Sequence, residues 1–222
     1  MTEAEAKAWL VSHFHVSRET MARLEAFIHF LRSESQNQNL IAASTLEHIW
    51  VRHIVDSAQL LVHLPDNMRE GKRWLDLGSG AGFPGIIAAL LSNHRITLVE
   101  SRARRIDYLE RAAKLLNFGT QVEIAGATLE KLETEKYDII SARAFAPLPR
   151  LLSGAARFST ENTFWLLPKG RNAVKEMKEV KDNWHTDFRA VPSITDADAG
   201  ILIGHLQGNG SRKGSKKARM KS

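Results

Sequence analysis

The stretch that decides the fold is Arg73-Trp74-Leu75-Asp76-Leu77-Gly78-Ser79-Gly80-Ala81-Gly82-Phe83-Pro84-Gly85. Trp74 to Leu77 reads as a short buried strand. Gly78 to Gly82 reads as a tight loop, and Pro84 suits the first turn of a helix over 85–91. Glycines at 78, 80 and 82 permit positive φ and let a ligand approach the backbone closely. Downstream, Ile96 to Val99 is a second strand that ends at Glu100, 22 residues after Gly78. An acid at that interval accepts the ribose hydroxyls of a bound adenosine. A structural turn beside a surface glutamate is the bland alternative. Strand, loop, helix, strand and acid in that order favour a nucleoside cofactor.

Outward from this centre the same alternation continues. A basic helix spans 102–116, strands are expected at 122–124, 137–141 and 163–167, the last stopped by Pro168, and helices at 129–132, 147–158 and 171–183. The final strand candidates are 188–191 and 201–206. Strands alternating with helices predict an α/β fold, with a doubly wound and mostly parallel sheet. Ligands of such sheets bind beyond the C-terminal strand ends, here Gly78 to Phe83, Glu100, the Leu129 region, Arg143 and Lys169.

Upstream, residues 1–65 read as a helical extension. Thr2-x-x-Glu5 and Ser44-x-x-Glu47 look like capping boxes. Met21, Leu24, Phe27, Ile28 and Leu31 form one apolar stripe behind a cap at Ser17. The core domain is assigned 66–206, and 207–222 is expected to be a disordered basic tail. Of 31 Lys+Arg against 25 Asp+Glu, six (Arg212, Lys213, Lys216, Lys217, Arg219, Lys221) lie in that tail and make up the whole excess of +6. The tail reads either as a solubilising end or as a phosphate-seeking arm.

The 222-residue chain is 43% hydrophobic and 25% charged, the mix of a globular protein. No apolar run nears the ~20 residues of a membrane span. An acidic, polar N-terminus unlike a secretory signal points to the cytoplasm. With no cysteine there is no disulfide, thiolate metal site or cysteine nucleophile. The histidines show no metal spacing, so no metal is expected.

Which nucleoside cofactor follows from the glycine spacing. A dinucleotide loop wants Gly-x-Gly-x-x-Gly, and its third glycine position is Phe83. Alternate glycines behind Asp76 instead resemble the S-adenosyl-L-methionine loop of class I methyltransferases, which have a seven-stranded sheet. An NAD(P)-dependent oxidoreductase is the runner-up. Lack of a cysteine argues against methylation at C5 of a pyrimidine. Ser141-Ala142-Arg143-Ala144-Phe145-Ala146-Pro147 lacks the Asn/Asp-Pro-Pro-aromatic signature usual in amino methylation. An acceptor with a free lone pair, such as guanine N7, needs no general base. These features permit N7 chemistry without demanding it.

Taken with Asn39-Leu40, Val51-Arg52-His53-Ile54-Val55-Asp56-Ser57 and Lys169-Gly170, these motifs resemble the ribosomal RNA small subunit methyltransferase G family across most of the chain. The resemblance implies S-adenosyl-L-methionine-dependent methylation of guanine N7 in 16S ribosomal RNA of the small subunit by a bacterial enzyme, expected here to be a monomer. It implies cofactor contacts from Asp76, Gly78, Gly80, Gly82 and Phe83, ribose at Glu100, adenine flanked by Leu129 and Glu130, and Arg143 near the methionine end. Asn39, Arg52, His53, Asp56, Arg143 and Lys169 are implied on the acceptor side. The family often has Asn-Leu-Thr where this chain has Asn39-Leu40-Ile41. His53 and Asp56, three apart on one helix, are expected to make a polar contact lining the acceptor cleft. Arg102, Arg104, Arg105 and Arg111 read equally as a solvated face or as an RNA footprint. A non-catalytic RNA-binding assembly factor with a vestigial pocket is a further alternative.

Overall fold

The computed structural model describes residues 1–180 and 183–209. Its helices are α1 (Glu3–Phe14), α2 (Arg18–Glu34), α3 (Asp56–Val62), α4 (Gly85–Leu91), α5 (Ala103–Leu115), α6 (Leu148–Ala155) and α7 (Ala173–Val180). The strands are β1 (Arg73–Leu77), β2 (Arg95–Val99), β3 (Val122–Ala125), β4 (Ile139–Ala142), β5 (Phe164–Lys169), β6 (Trp184–Thr186), β7 (Arg189–Pro192) and β8 (Gly200–Asn209).

The strand order is β3-β2-β1-β4-β5-β8-β6, with β7 also paired to β8. The first five strands are parallel, joined through helices, and β8 enters antiparallel against β5. Eight hydrogen-bonded strands fill seven positions. Thr186 pairs with Leu206 and Arg189 with Ile203, on one continuous register, so β6 and β7 are two pieces of a single interrupted line along β8. The interruption falls at Asp187, an exposed residue whose carboxylate turns onto β8 to accept from the His205 amide and to meet the His205 ring.

Alternation along the strands sorts the core into two faces. Trp74, Leu98, Ile139, Leu166 and Ile203 lie in one cluster with Leu24, Phe27 and Leu31 of α2 and Ile86 of α4. Leu75, Leu77, Ile140, Trp165 and Leu202 lie in the other, under α6 and α7. The N-terminal helices therefore complete the core on one face of the sheet. Thr2 forms the expected capping box with Glu5, and Ser17 caps α2.

Three expectations need correction, and one strand was not expected at all. Ser44-x-x-Glu47 caps no helix: Ala43–Thr45 is a short 3₁₀ turn, and Trp50–Val55 is a π-helical turn that runs into α3 without a side-chain cap. The Thr45 hydroxyl is used on His53. Pro168 does not stop β5, which continues to Lys169. β4 pairs only as far as Leu166, so the missing N–H leaves no gap in that ladder. Trp184–Thr186 is a strand with no expectation attached to it. Finally, β8 runs through Asn209, so 207–209 are strand and not tail. The basic residues of the tail lie outside the described residues.

Candidate active site

The site is built at the C-terminal ends of β1, β2, β4 and β5. Gly78, Gly80 and Gly82 all have positive φ (71°, 57° and 91°), the requirement that glycine meets without strain. The loop is tied down at its start, where Gly78 N and Ser79 N both donate to Val99 O (2.9 and 3.0 Å). A Cβ on Gly78 would sit 2.4 Å from Cδ2 of Phe145, so the ring of Phe145 lies directly on this glycine.

Asp76 supports the loop from behind. It is fully buried, Oδ1 accepts from Ser141 Oγ (2.7 Å), and Oδ2 accepts from Gly85 N (3.2 Å) at the start of α4. Ser141 Oγ in turn accepts from Trp74 Nε1 (2.8 Å). Burial pushes the Asp76 carboxyl up to about 6, against the pull of these donors. With both oxygens engaged inside the protein, Asp76 holds the loop's shape and does not present itself to a ligand. The sequence reading places Asp76 among the cofactor contacts; in the structure its carboxylate is directed to Ser141 and Gly85 N.

Glu100 is held at the end of β2. Oε1 accepts from Ser101 N (2.8 Å) and Arg102 N (3.0 Å), and Oε2 from Gly80 N (3.2 Å). These amides fix the carboxylate at the edge of a cavity of about 310 Å³ that also touches Gly78, Leu129 and Glu130. A second cavity of about 220 Å³ is lined by Gly78, Gly80, Phe83, Leu40, His53 and Arg143. Arg105 lines both, lies 3.7 Å from Glu100 Oε2 and donates to Asn39 O (3.1 Å). It turns into the site, neither a solvated charge nor an outward footprint. Arg111 is neutralised within the chain by Glu34 and Asp107.

Phe83 fills core space where a dinucleotide loop has its third glycine. Its ring stacks on His53 (5.0 Å) and meets Phe27 edge-on (5.7 Å). The close approach of helix to strand is made instead by Gly85, whose Cβ would come 2.2 Å from Leu98.

A third cavity, about 510 Å³, lies on the other side of the segment 143–146, lined by Arg52, Asp56, Arg143, Phe145, Lys169 and Glu176 among others. Arg143 ends β4 at the junction of the second and third cavities. Its Nη2 donates to Arg52 O and to His53 Nδ1 (both 3.2 Å), and its Nη1 lies 3.5 Å from Asp56 Oδ2 without a hydrogen-bond partner. Because an arginine only donates, His53 Nδ1 accepts and its proton is on Nε2, which donates to Thr45 Oγ1 (2.8 Å). Burial, then the charges of Arg143 and Arg52, hold the imidazole neutral, with its pKa lowered to about 3.

His53 and Asp56 thus do not bond each other; each meets Arg143. Asp56 Oδ1 also accepts from Thr195 Oγ1 (2.6 Å) and Gln59 Nε2 (3.0 Å). Lys169 Nζ donates to Ala146 O (3.0 Å) and pairs with Glu176 (2.9 Å), which pins it to the wall of the third cavity. Asn39 is exposed. It reaches the site through its backbone, and its neighbours Leu40 and Ile41 line the second cavity where it does not. Thr45, Gln59, Phe145 and Thr195 were given no individual role by the sequence. Phe145 stood inside a quoted motif. Thr195 has no local signal, since its partner is 139 residues away.

Among the described residues, no group of three His, Asp or Glu could hold a metal ion, and no helix is long and apolar enough to cross a membrane.

A mostly parallel sheet whose glycine loop, post-strand acid and two cavities meet at one glycine defines a class I methyltransferase. The same fold occurs in a putative S-adenosyl-L-methionine-dependent methyltransferase of Methanococcus maripaludis (TM-score 0.59, 11% identity, covering 81% of this chain and 94% of that one). It also occurs in the fibrillarin of Aeropyrum pernix (0.54, 17%, covering 69% and 75%). Residues 20–201 match the family model for rRNA small subunit methyltransferase G. Proteins named ribosomal RNA small subunit methyltransferase G are 54% identical in Rhizorhabdus wittichii (91% of this chain, 92% of that one) and 47% identical in Zymomonas mobilis subsp. mobilis (97% and 100%). The chain belongs to the rRNA small subunit methyltransferase G family.

Proposed function

We propose that this chain transfers a methyl group from S-adenosyl-L-methionine to N7 of one guanine in 16S ribosomal RNA of the small subunit. The observation that carries the reading is the meeting of three cavities around Gly78 and the segment 143–146, two on the glycine-loop side and one opening toward Lys169. The residues present fit the cofactor. Gly78 lines both glycine-loop cavities with no side chain of its own, the adenosine end has Glu100 for the ribose with Leu129 and Glu130 in the same cavity, and the Arg143 Nη1 is a buried donor without a partner.

When bound, S-adenosyl-L-methionine supplies an electrophilic methyl carbon. The chain's own residues orient the reactants. Holding two reactants in line supplies about 7–11 kcal/mol of the barrier reduction. The site is poor in free bases. His53 Nδ1 is occupied by Arg143, Asp56 is shared by Thr195, Gln59 and Arg143, and Glu176 is held by Lys169 and Leu148 N. A general base must reach the proton it removes. Guanine N7 carries no proton and offers an in-plane lone pair, so it suits a cavity whose acid–base groups are all committed. Arg143 and Lys169 act as positioned charges on the acceptor side and not as proton carriers. The enzyme is read as a monomer acting in the bacterial cytoplasm.

The test is methyl transfer from labelled S-adenosyl-L-methionine to small ribosomal subunits, and to their deproteinised RNA, from cells lacking this protein. The product is then cleaved chemically at N7-methylguanine. One labelled guanine is expected. Label on another atom or another RNA overturns the acceptor, and no label despite cofactor binding overturns the reaction.

A further inference from the structure

We propose that Phe145 is the face on which the acceptor base stacks, so that an aromatic ring sets the plane of the acceptor beside Gly78. This rests on the reading that the chain methylates a purine in RNA. Phe145 is the sole aromatic residue lining the third cavity, and it also lines the cavity beside Glu100. It is 38% exposed, although most phenylalanines of this chain are buried. Its ring edge packs on Gly78, at the junction of the cofactor cavities.

The backbone presents it there at a cost. Ala144 has φ 50°, a left-handed conformation that a residue with a Cβ adopts only when its surroundings impose it. An exposed apolar ring held out by a strained neighbour is explained by a partner for its face. The charged groups around it have other work. Arg52 is paired with Asp196, Lys169 with Glu176, and Asp56 with Thr195 and Gln59.

Stacking also answers the geometric demand of the reaction. The N7 lone pair lies in the plane of the purine. A base held by its face keeps its edge free to point along that plane toward the methyl carbon. Bases drawn out of an RNA strand are held in this way, and one stacked aromatic changes binding by about five- to a hundredfold.

The experiment compares Phe145→Leu, which keeps apolar bulk without an aromatic face, with Phe145→Tyr, which keeps the face. Steady-state transfer to small subunits is measured alongside S-adenosyl-L-methionine binding by calorimetry. We expect Phe145→Leu to raise KM for the RNA substrate by about ten- to a hundredfold. Phe145→Tyr should stay within about threefold, and cofactor affinity should be unchanged in both. A Phe145→Leu enzyme with unaltered KM overturns the stacking role. So does a parallel loss of cofactor affinity in both variants, which would make the ring a wall of the cofactor site. Failure of the unsubstituted chain to methylate any RNA removes the reaction and this role together. Transfer by that chain with Phe145→Leu unaffected removes the role alone.

Discussion

Gly78 is constrained twice, by a φ of 71° and by the ring of Phe145 where a Cβ would go. Gly78→Val should therefore lose cofactor binding in calorimetry while the protein still unfolds cooperatively, because Gly78 is half-buried at the end of β1 and the ring it would displace, Phe145, is exposed. Binding at the unsubstituted affinity would show that the loop is not the cofactor cradle. His53 makes a different statement, about pH. Its pKa is lowered to about 3 in the folded protein, so the unfolded chain binds the extra proton first. The stability this group contributes is complete above pH 6.5 and is lost as pH falls from there toward 3. At pH 5 the loss from this group is about 2 kcal/mol. Urea unfolding at pH 7 and pH 5 should show that difference shrinking in His53→Gln, with the other histidines unchanged between the two proteins. Equal losses in both would place the acid sensitivity elsewhere. Asp76 has the opposite sign. With its carboxyl raised to about 6, its contribution is complete below pH 3.8 and falls as pH rises through 6.

Arg143 belongs to the scale of elements, because it joins three of them. From the end of β4 it donates to the π-helical turn and faces the first residue of α3, and Asp56 is in turn held by the segment before β8. Lysine has one compact head and no fork, so Arg143→Lys cannot reach His53, Arg52 O and Asp56 together. Both Arg143→Lys and Arg143→Ala should lower kcat/KM at least about a hundredfold, about 2.7 kcal/mol in transition-state stabilisation. Far-ultraviolet circular dichroism should be unchanged. Transfer by Arg143→Lys at the native rate would reduce this network to packing. The strands and helices that meet here were legible because period-2 and period-3.6 patterns are local. The π-helical turn and the interrupted β6–β7 line were not. The first has the apolar spacing of an ordinary helix, and the second depends on Asp187 folding back onto His205.

At the scale of the whole molecule, α2 is what makes the glycine loop part of the core. Phe27 is fully buried and meets the ring of Phe83, which stacks on His53. Phe27→Ala should cost about 3–5 kcal/mol in urea unfolding and weaken cofactor binding as well, since Phe83 loses its backing. A stability loss with cofactor affinity intact would separate the helical layer from the site.

Much of this protein was determined by the sequence alone. Strand, glycine loop, helix, strand and acid follow from neighbours within about thirty residues, and that order already places Gly78 and Glu100 at one sheet edge. The motifs that carry the family are also local words. What only the tertiary structure decided is how the side chains were spent. It turned Asp76 inward to support the loop, aimed Arg105 between two cavities, tied Lys169 to Glu176, and fixed the tautomer of His53 through Arg143. The physical reason is distance along the chain. His53 and Arg143 are 90 residues apart and Asp56 and Thr195 are 139 apart, and a hydrogen bond between such residues exists only once the whole sheet has brought its strand ends together.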